Sequence, residues 1–244
     1  MDYSKKLCVI TGASSGFGEA LAKILSKSGY SLLLLARRIE KMQEFNLPNC
    51  ICQKVDVTNY DEFEKAVREA ESFFGCKTDL MVNNAGVMLL GHIWEQDMKD
   101  WDKTLDVNVK GVLHGCRIVL KDMMDRNGGT IINVSSIAGL DPYELHSVYG
   151  ASKYGVHCIS NTIRKEVAQK NVRVMIISPG IAETELLSHN KSNEKVFNTY
   201  NSWKDTLKGQ SMNPYNVANS IKFMYEMPQE ITIRDLIICP TKQE

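Results

Sequence analysis

Short apolar runs recur along the chain, each followed by a polar break, and most breaks lead into a stretch with helical spacing. Runs at 7–10, 31–35, 50–55, 79–82, 130–134, 171–177 and 231–238 are continuous or nearly so, the pattern of strands covered on both faces. Between them, 19–25, 59–74, 97–125, 148–170 and 213–225 carry apolar residues at helical intervals. In 59–74 these are Phe63, Ala66, Val67, Ala70 and Phe73, predicted to share one buried face. In 97–125, Asn108 interrupts the pattern; Asn is poor in a helix interior, so it marks a kink or a buried polar role. Alternating strands and helices predict a parallel sheet with helices on both faces. No boundary or repeat divides the chain, so 1–244 reads as a single domain. The weakly patterned stretch 182–212 is longer than an ordinary loop, and the sequence predicts a substrate lid inserted there.

Composition narrows the class. Lys+Arg and Asp+Glu are equal at 29 each, so no bulk charge draws the chain to nucleic acid or an anionic membrane. No apolar run reaches the about 18 residues of a membrane span and no leader pattern is evident, which predicts a cytoplasmic protein. Seven cysteines are an odd number; Cys8, Cys116, Cys158 and Cys239 lie in apolar runs and read as core residues, not disulfides. Cys50 and Cys52 lack a partner pair, so no metal site is expected.

Chemistry concentrates in the polar breaks. Gly12-x-x-x-Gly16-x-Gly18 joins the first strand to the first helix, the context in which glycines admit a phosphate to a helix start. A tight turn without a ligand would use the same residues. After the second strand come Arg37 and Arg38 with no acidic neighbour. In a dinucleotide fold this position meets the adenosine ribose, where Arg suits the 2′-phosphate of NADP and Asp or Glu the 2′-OH of NAD. The arginines otherwise open a solvated helix. Asn83 to Gly86 breaks the chain after the fourth strand, and Ser135-Ser136 after the fifth. Tyr149 and Lys153 are four apart on a predicted helix and leave one face. A phenol titrates near about 10; an adjacent ammonium favours the phenolate and brings it toward use as an acid or base.

Taken in order, Thr11-Gly12-x-x-x-Gly16-x-Gly18, Asn83-Asn84-Ala85-Gly86, Asn108, Ser136, Tyr149-x-x-x-Lys153 and Pro179-Gly180 make the chain resemble a short-chain dehydrogenase/reductase over nearly its whole length. Gly16-Phe17-Gly18-Glu19, Arg37-Arg38 and the tail 240–243 are similar to the NADP-dependent branch acting on 3-hydroxy acids such as serine and allo-threonine. The resemblance implies a Rossmann-type doubly wound sheet and an NADP(H)-dependent oxidoreductase that interconverts a secondary alcohol, a 3-hydroxy acid in that branch, and its carbonyl. It implies Tyr149 as acid or base, Lys153 lowering its pKa and holding the nicotinamide ribose, Ser136 on the substrate oxygen, and Asn108 fixing a water beside Lys153. Cofactor contacts fall on Gly12, Ser14, Ser15, Gly16, Phe17, Gly18, Arg37, Arg38, Asp56, Val57, Asn84, Ala85, Gly86, Tyr149, Lys153, Pro179, Gly180 and Thr184. The partners implied are a small alcohol or carbonyl and further copies of the chain, as a homodimer or homotetramer. Two alternatives stand: reduction of a bulkier carbonyl, such as a 3-oxoacyl thioester or cyclic ketone, and a non-catalytic NADPH-binding protein. A small acid would want a cation near the lid, with Lys191, Lys195 and Lys204 as candidates.

Overall fold

Seven strands, β1 (Leu7–Thr11), β2 (Ser31–Ala36), β3 (Cys50–Lys54), β4 (Thr78–Asn83), β5 (Gly129–Val134), β6 (Val172–Pro179) and β7 (Asp235–Ile238), form one parallel sheet in the order β3-β2-β1-β4-β5-β6-β7. The computed structural model describes residues 6–191, 193–207 and 210–243. Strand side chains alternate between two cores. Cys8 and Ile10 face α1 (Gly16–Lys27) and α8 (Pro214–Glu226), among Leu21, Leu25, Val217 and Ile221. Leu7 and Val9 face the opposite layer, built from α3 (Tyr60–Phe74), α5 (Gly111–Asp125) and α6 (Ser147–Val167), among Phe63, Val67, Val119 and Val156. This is the Rossmann-type arrangement, a single doubly wound domain. The strand order reverses direction between β1 and β4, and ligands of such sheets bind beyond the carboxyl ends at that point.

Several expectations are corrected. Phe73 is 74% exposed, while Phe74 packs on the core: the residue after Ala70 that completes the buried stripe is four along, not three. Cys158 is exposed rather than a core residue. The last strand starts at Asp235, not at 231. The preceding carbonyls are taken by a side chain: buried Arg173 donates to Met227 O, Pro228 O and Ile231 O at 2.8, 3.3 and 3.4 Å, which withholds those groups from strand pairing. The stretch 182–212 is not a bare loop. It holds a 3₁₀ turn (Glu185–Asn190) and α7 (Glu194–Thr206), and buried Asn190 ties it down, accepting from Leu90 N and donating to Met88 O, both at 2.8 Å.

The long helical pattern is interrupted where Asn108 predicted. Between α4 (Met98–Leu105) and α5 the chain makes one wide π turn, Asp106–Lys110, and the Gly111 N–H reaches back to Asp106 O. Such bulges insert a residue without ending the helix and often mark functional sites. Here the inserted turn brings Asn108, fully buried, inward.

Candidate active site

A cleft of about 1290 Å³ opens at the carboxyl ends of the strands. Its near wall is the turn after β1. Gly12 and Gly16 have φ of +64° and +57°, which an L side chain adopts only at a cost. A Cβ on Gly12 would also lie 2.7 Å from Ala85 Cα. The Ser15 side chain makes no capping bond to α1, so the helix presents free N–H groups at its start. Gly18 does not line the cleft. It is buried behind the turn, where a Cβ would meet Gly12 O at 2.6 Å, so it permits the helix to approach the strand.

Asn84 binds the β1 turn to the β4 break. Its Nδ2 donates to Thr11 O and Gly12 O at 2.8 and 3.2 Å, and the N–H groups of Asn84 and Ala85 both donate to Thr11 Oγ1 at 3.0 Å. Asp56, Val57, Ala85 and Gly86 line the same wall; Asp56 Oδ1 is held by the Thr58 N–H at 3.0 Å and hydroxyl at 2.8 Å. At the far end of the cleft Arg37 is exposed, with no hydrogen bond or ion pair to any of the described residues, whereas Arg38 donates to Ser14 Oγ and Ser15 Oγ. Lys41, on the short helix α2 (Ile39–Gln43), stands beside it: both cations bind Glu185.

The opposite end of the cleft rests on β5 and α6. Tyr149, Lys153 and Ser136 all line the cleft. The Tyr149 phenol and the Ser136 hydroxyl come together where α6 crosses the turn Ile137–Gly139. That crossing needs Gly139: a Cβ there would meet Lys153 O at 2.9 Å. Asn108 lies beneath, off the cleft surface. Its Oδ1 accepts from Val87 N, and its Nδ2 donates to Val87 O and to Ser152 Oγ, at 2.9, 2.9 and 3.0 Å. Ser152 in turn donates to Tyr149 O at 2.6 Å.

One electrostatic expectation is overturned. Burial pushes the Tyr149 phenol up to about 12, partly offset by the neighbouring Ser136 hydroxyl. Burial likewise brings Lys153 down to about 8. The Lys153 Nζ is 5.8 Å from the Tyr149 ring centroid and spends its bond on Val134 O at 2.9 Å. Spacing on a helix put both groups on one face, but desolvation, not their attraction, dominates each.

Around Tyr149 the wall is apolar and aromatic, with Met88, Leu90, Val196, Tyr143, Leu187 and Tyr200 in one cluster. The His146 ring lies 5.8, 5.9 and 6.2 Å from those of Tyr143, Tyr149 and Tyr200, and burial lowers its pKa. Of the lysines expected near a substrate acid, Lys191 and Lys204 line the cleft, while Lys195 is drawn off to Glu95 at 3.5 Å. Pro179, Gly180 and Thr184 line the floor. Gln243, unremarked by spacing alone, reaches under it and accepts from Ile181 N at 2.8 Å.

The chain is 34% identical to an uncharacterised oxidoreductase of Staphylococcus saprophyticus, covering 98% of this chain and 97% of that one. Among solved structures it is similar to serine dehydrogenase in a closed form complexed with NADP+, at 30% identity and a TM-score of 0.88 over 98% of this chain and 96% of that one. It is also similar to ElxO with NADP bound, at 26% identity and 0.83 over 96% and 97%. Residues 6–195 match the family model described as short chain dehydrogenase, and the chain belongs to that family of oxidoreductases.

Proposed function

We propose that the cleft binds NADP(H) and interconverts a secondary alcohol and its carbonyl, with Tyr149 moving the proton at the substrate oxygen. The observation that carries this is the meeting of Tyr149, Ser136 and Lys153 on one wall of the cleft beyond the carboxyl end of β5. The residues fit the cofactor. An uncapped helix start suits a pyrophosphate, and Ser14, Ser15, Arg38 and Lys41 converge as a 2′-phosphate would require. When bound, the nicotinamide supplies or accepts the hydride. Tyr149 and Ser136 donate hydrogen bonds to the oxygen where negative charge develops. A phenol kept neutral by burial begins as the acid, the state that carbonyl reduction requires. Lys153 has ammonium protons beyond the one given to Val134 O, and these would serve the nicotinamide ribose. Asn108 and Ser152 hold the Lys153 turn of α6 in place.

Likeness to serine dehydrogenase supports a 3-hydroxy acid as substrate, with Lys204 or Lys191 to meet its carboxylate. The apolar wall around Tyr149 favours a carbonyl with a bulkier apolar flank, because His146 is held neutral and Lys195 is engaged elsewhere. Initial rates of NADPH oxidation with a cyclic ketone and a 3-oxo acid of equal carbon count test the choice. A higher kcat/KM for the ketone is expected. Preference for the acid, lost in Lys204→Ala, would support the serine-dehydrogenase-like reading. Tight NADPH binding with no turnover of any carbonyl would leave a binding protein as the better account.

A further inference from the structure

The segment that leaves β6 passes over the glycine turn before it becomes the lid. Thr184 lies against Gly16, where an added Cβ would be 3.3 Å from its methyl. The next residue, Glu185, reaches across to the adenosine end of the cleft. Its Oε2 is 2.7 Å from Arg38 Nη1 and its Oε1 is 3.0 Å from Lys41 Nζ. Arg38 at the same time gives Nη2 to Ser14 Oγ and Ser15 Oγ at 3.2 and 3.0 Å. Two cations and two hydroxyls from the β1 turn and the β2 end thus converge near one carboxylate that comes from a part of the chain over 140 residues away. The site is built for an anion at the ribose end, and in this structure the chain supplies the anion.

We infer that Glu185 stands in for the 2′-phosphate of the cofactor and must leave the Arg38–Lys41 pair before a 2′-phosphorylated nucleotide can bind. The inference rests on the NADP reading of the cleft and adds a residue that tunes it. Glu185 carries one negative charge; a 2′-phosphate carries more, on three acceptor oxygens, and forms the stronger bonds with a guanidinium fork. The phosphate therefore wins, but its apparent affinity is reduced by the fraction of molecules in which the site is already closed. A nucleotide without the 2′-phosphate pays no such penalty and leaves the pair intact. Because Glu185 begins the 3₁₀ turn of the lid, displacement also loosens the lid's first turn. Ion pairs this exposed are weak, so the expected gain from breaking them is modest, about three- to tenfold in affinity.

Calorimetric titration of the full chain with adenosine 2′-monophosphate and adenosine 5′-monophosphate, at low ionic strength, tests this in the wild type, Glu185→Gln, Arg38→Gln and the double variant. Glu185→Gln is expected to tighten the 2′-phosphate ligand by about three- to tenfold and to leave the 5′-phosphate ligand unchanged. The gain should vanish in the Arg38→Gln background. Amide exchange over 186–190 should quicken when the wild type is saturated with the 2′-phosphate ligand, and be fast already in Glu185→Gln. Unchanged or weaker 2′-phosphate binding in Glu185→Gln, with 5′-phosphate binding intact, would overturn the inference alone. If Arg38→Gln also leaves 2′-phosphate binding untouched, the NADP reading of this end falls, and the inference with it.

Discussion

Lys153→Met should abolish activity while leaving the fold as stable as before, or more so. The Lys153 side chain is only 6% exposed as a residue, and burial lowers its pKa from 10.5 to about 8. At about 1.4 kcal/mol per pKa unit, holding the ammonium charged at pH 7 costs the fold on the order of 3 kcal/mol. Methionine removes that cost and fills similar space. It also removes the bond to Val134 O at 2.9 Å, a loss of roughly 1–3 kcal/mol. The balance is between about zero and 2 kcal/mol of stabilisation at pH 7. The pH dependence has a definite sign. From about 8 to 10.5 the unfolded chain holds a proton that the fold has released, so wild-type stability rises with pH across that window. The methionine variant lacks this rise, so the difference between the two should shift in favour of the wild type by about 2–3 kcal/mol between pH 7 and 10. Tyr149 is common to both and cancels in the difference. Urea unfolding at pH 7, 8, 9 and 10 measures it. A variant destabilised by more than about 2 kcal/mol at pH 7, with a gap independent of pH, would refute the reasoning, since the ammonium would then be a net support of the fold.

Other perturbations separate structure from chemistry. Asn108→Ala leaves both the N–H and the carbonyl of Val87 without their partner and should destabilise by about 2–4 kcal/mol in denaturant titration; a change under about 0.5 kcal/mol would show the π turn does not depend on it. Gly139→Ala places a Cβ 2.9 Å from the Lys153 carbonyl, so α6 must shift and turnover should fall more than NADPH affinity does. Equal losses in both would mean the crossing does not set the Tyr149–Ser136 geometry. Arg38→Gln should weaken NADP+ more than NAD+, by about tenfold, and Arg37→Gln by less, because only Arg38 is braced by Ser14 and Ser15; the reverse order would assign the phosphate to Arg37.

The strands and the meeting of Ser136, Tyr149 and Lys153 in one cleft were legible because each rests on a local signal. Buried parallel strands write themselves as apolar runs, and a four-residue interval on a helix guarantees a shared face. What sequence could not supply was what other segments do to those positions. Ile231 to Arg234 is as apolar and β-branched as a strand, but Arg173 on β6 claims the carbonyls before it. Phe73 and Phe74 are adjacent and equally apolar; only the phase set by packing decides which is buried. Lys41, Glu185 and Asn190 carry no motif, Gln243 belongs only to the tail signature, and each gains its place through a partner more than 60 residues distant. The pKa values of Tyr149 and Lys153 follow from burial, which spacing does not encode.

In the proposed reaction the Tyr149 hydroxyl moves the proton. Single-turnover NADPH oxidation by Tyr149→Phe, on a carbonyl the wild type reduces, tests it with cofactor binding measured in parallel by fluorescence. A rate lower by about 10²- to 10⁴-fold is expected, with NADPH affinity nearly unchanged. A variant that turns over at the wild-type rate would contradict it.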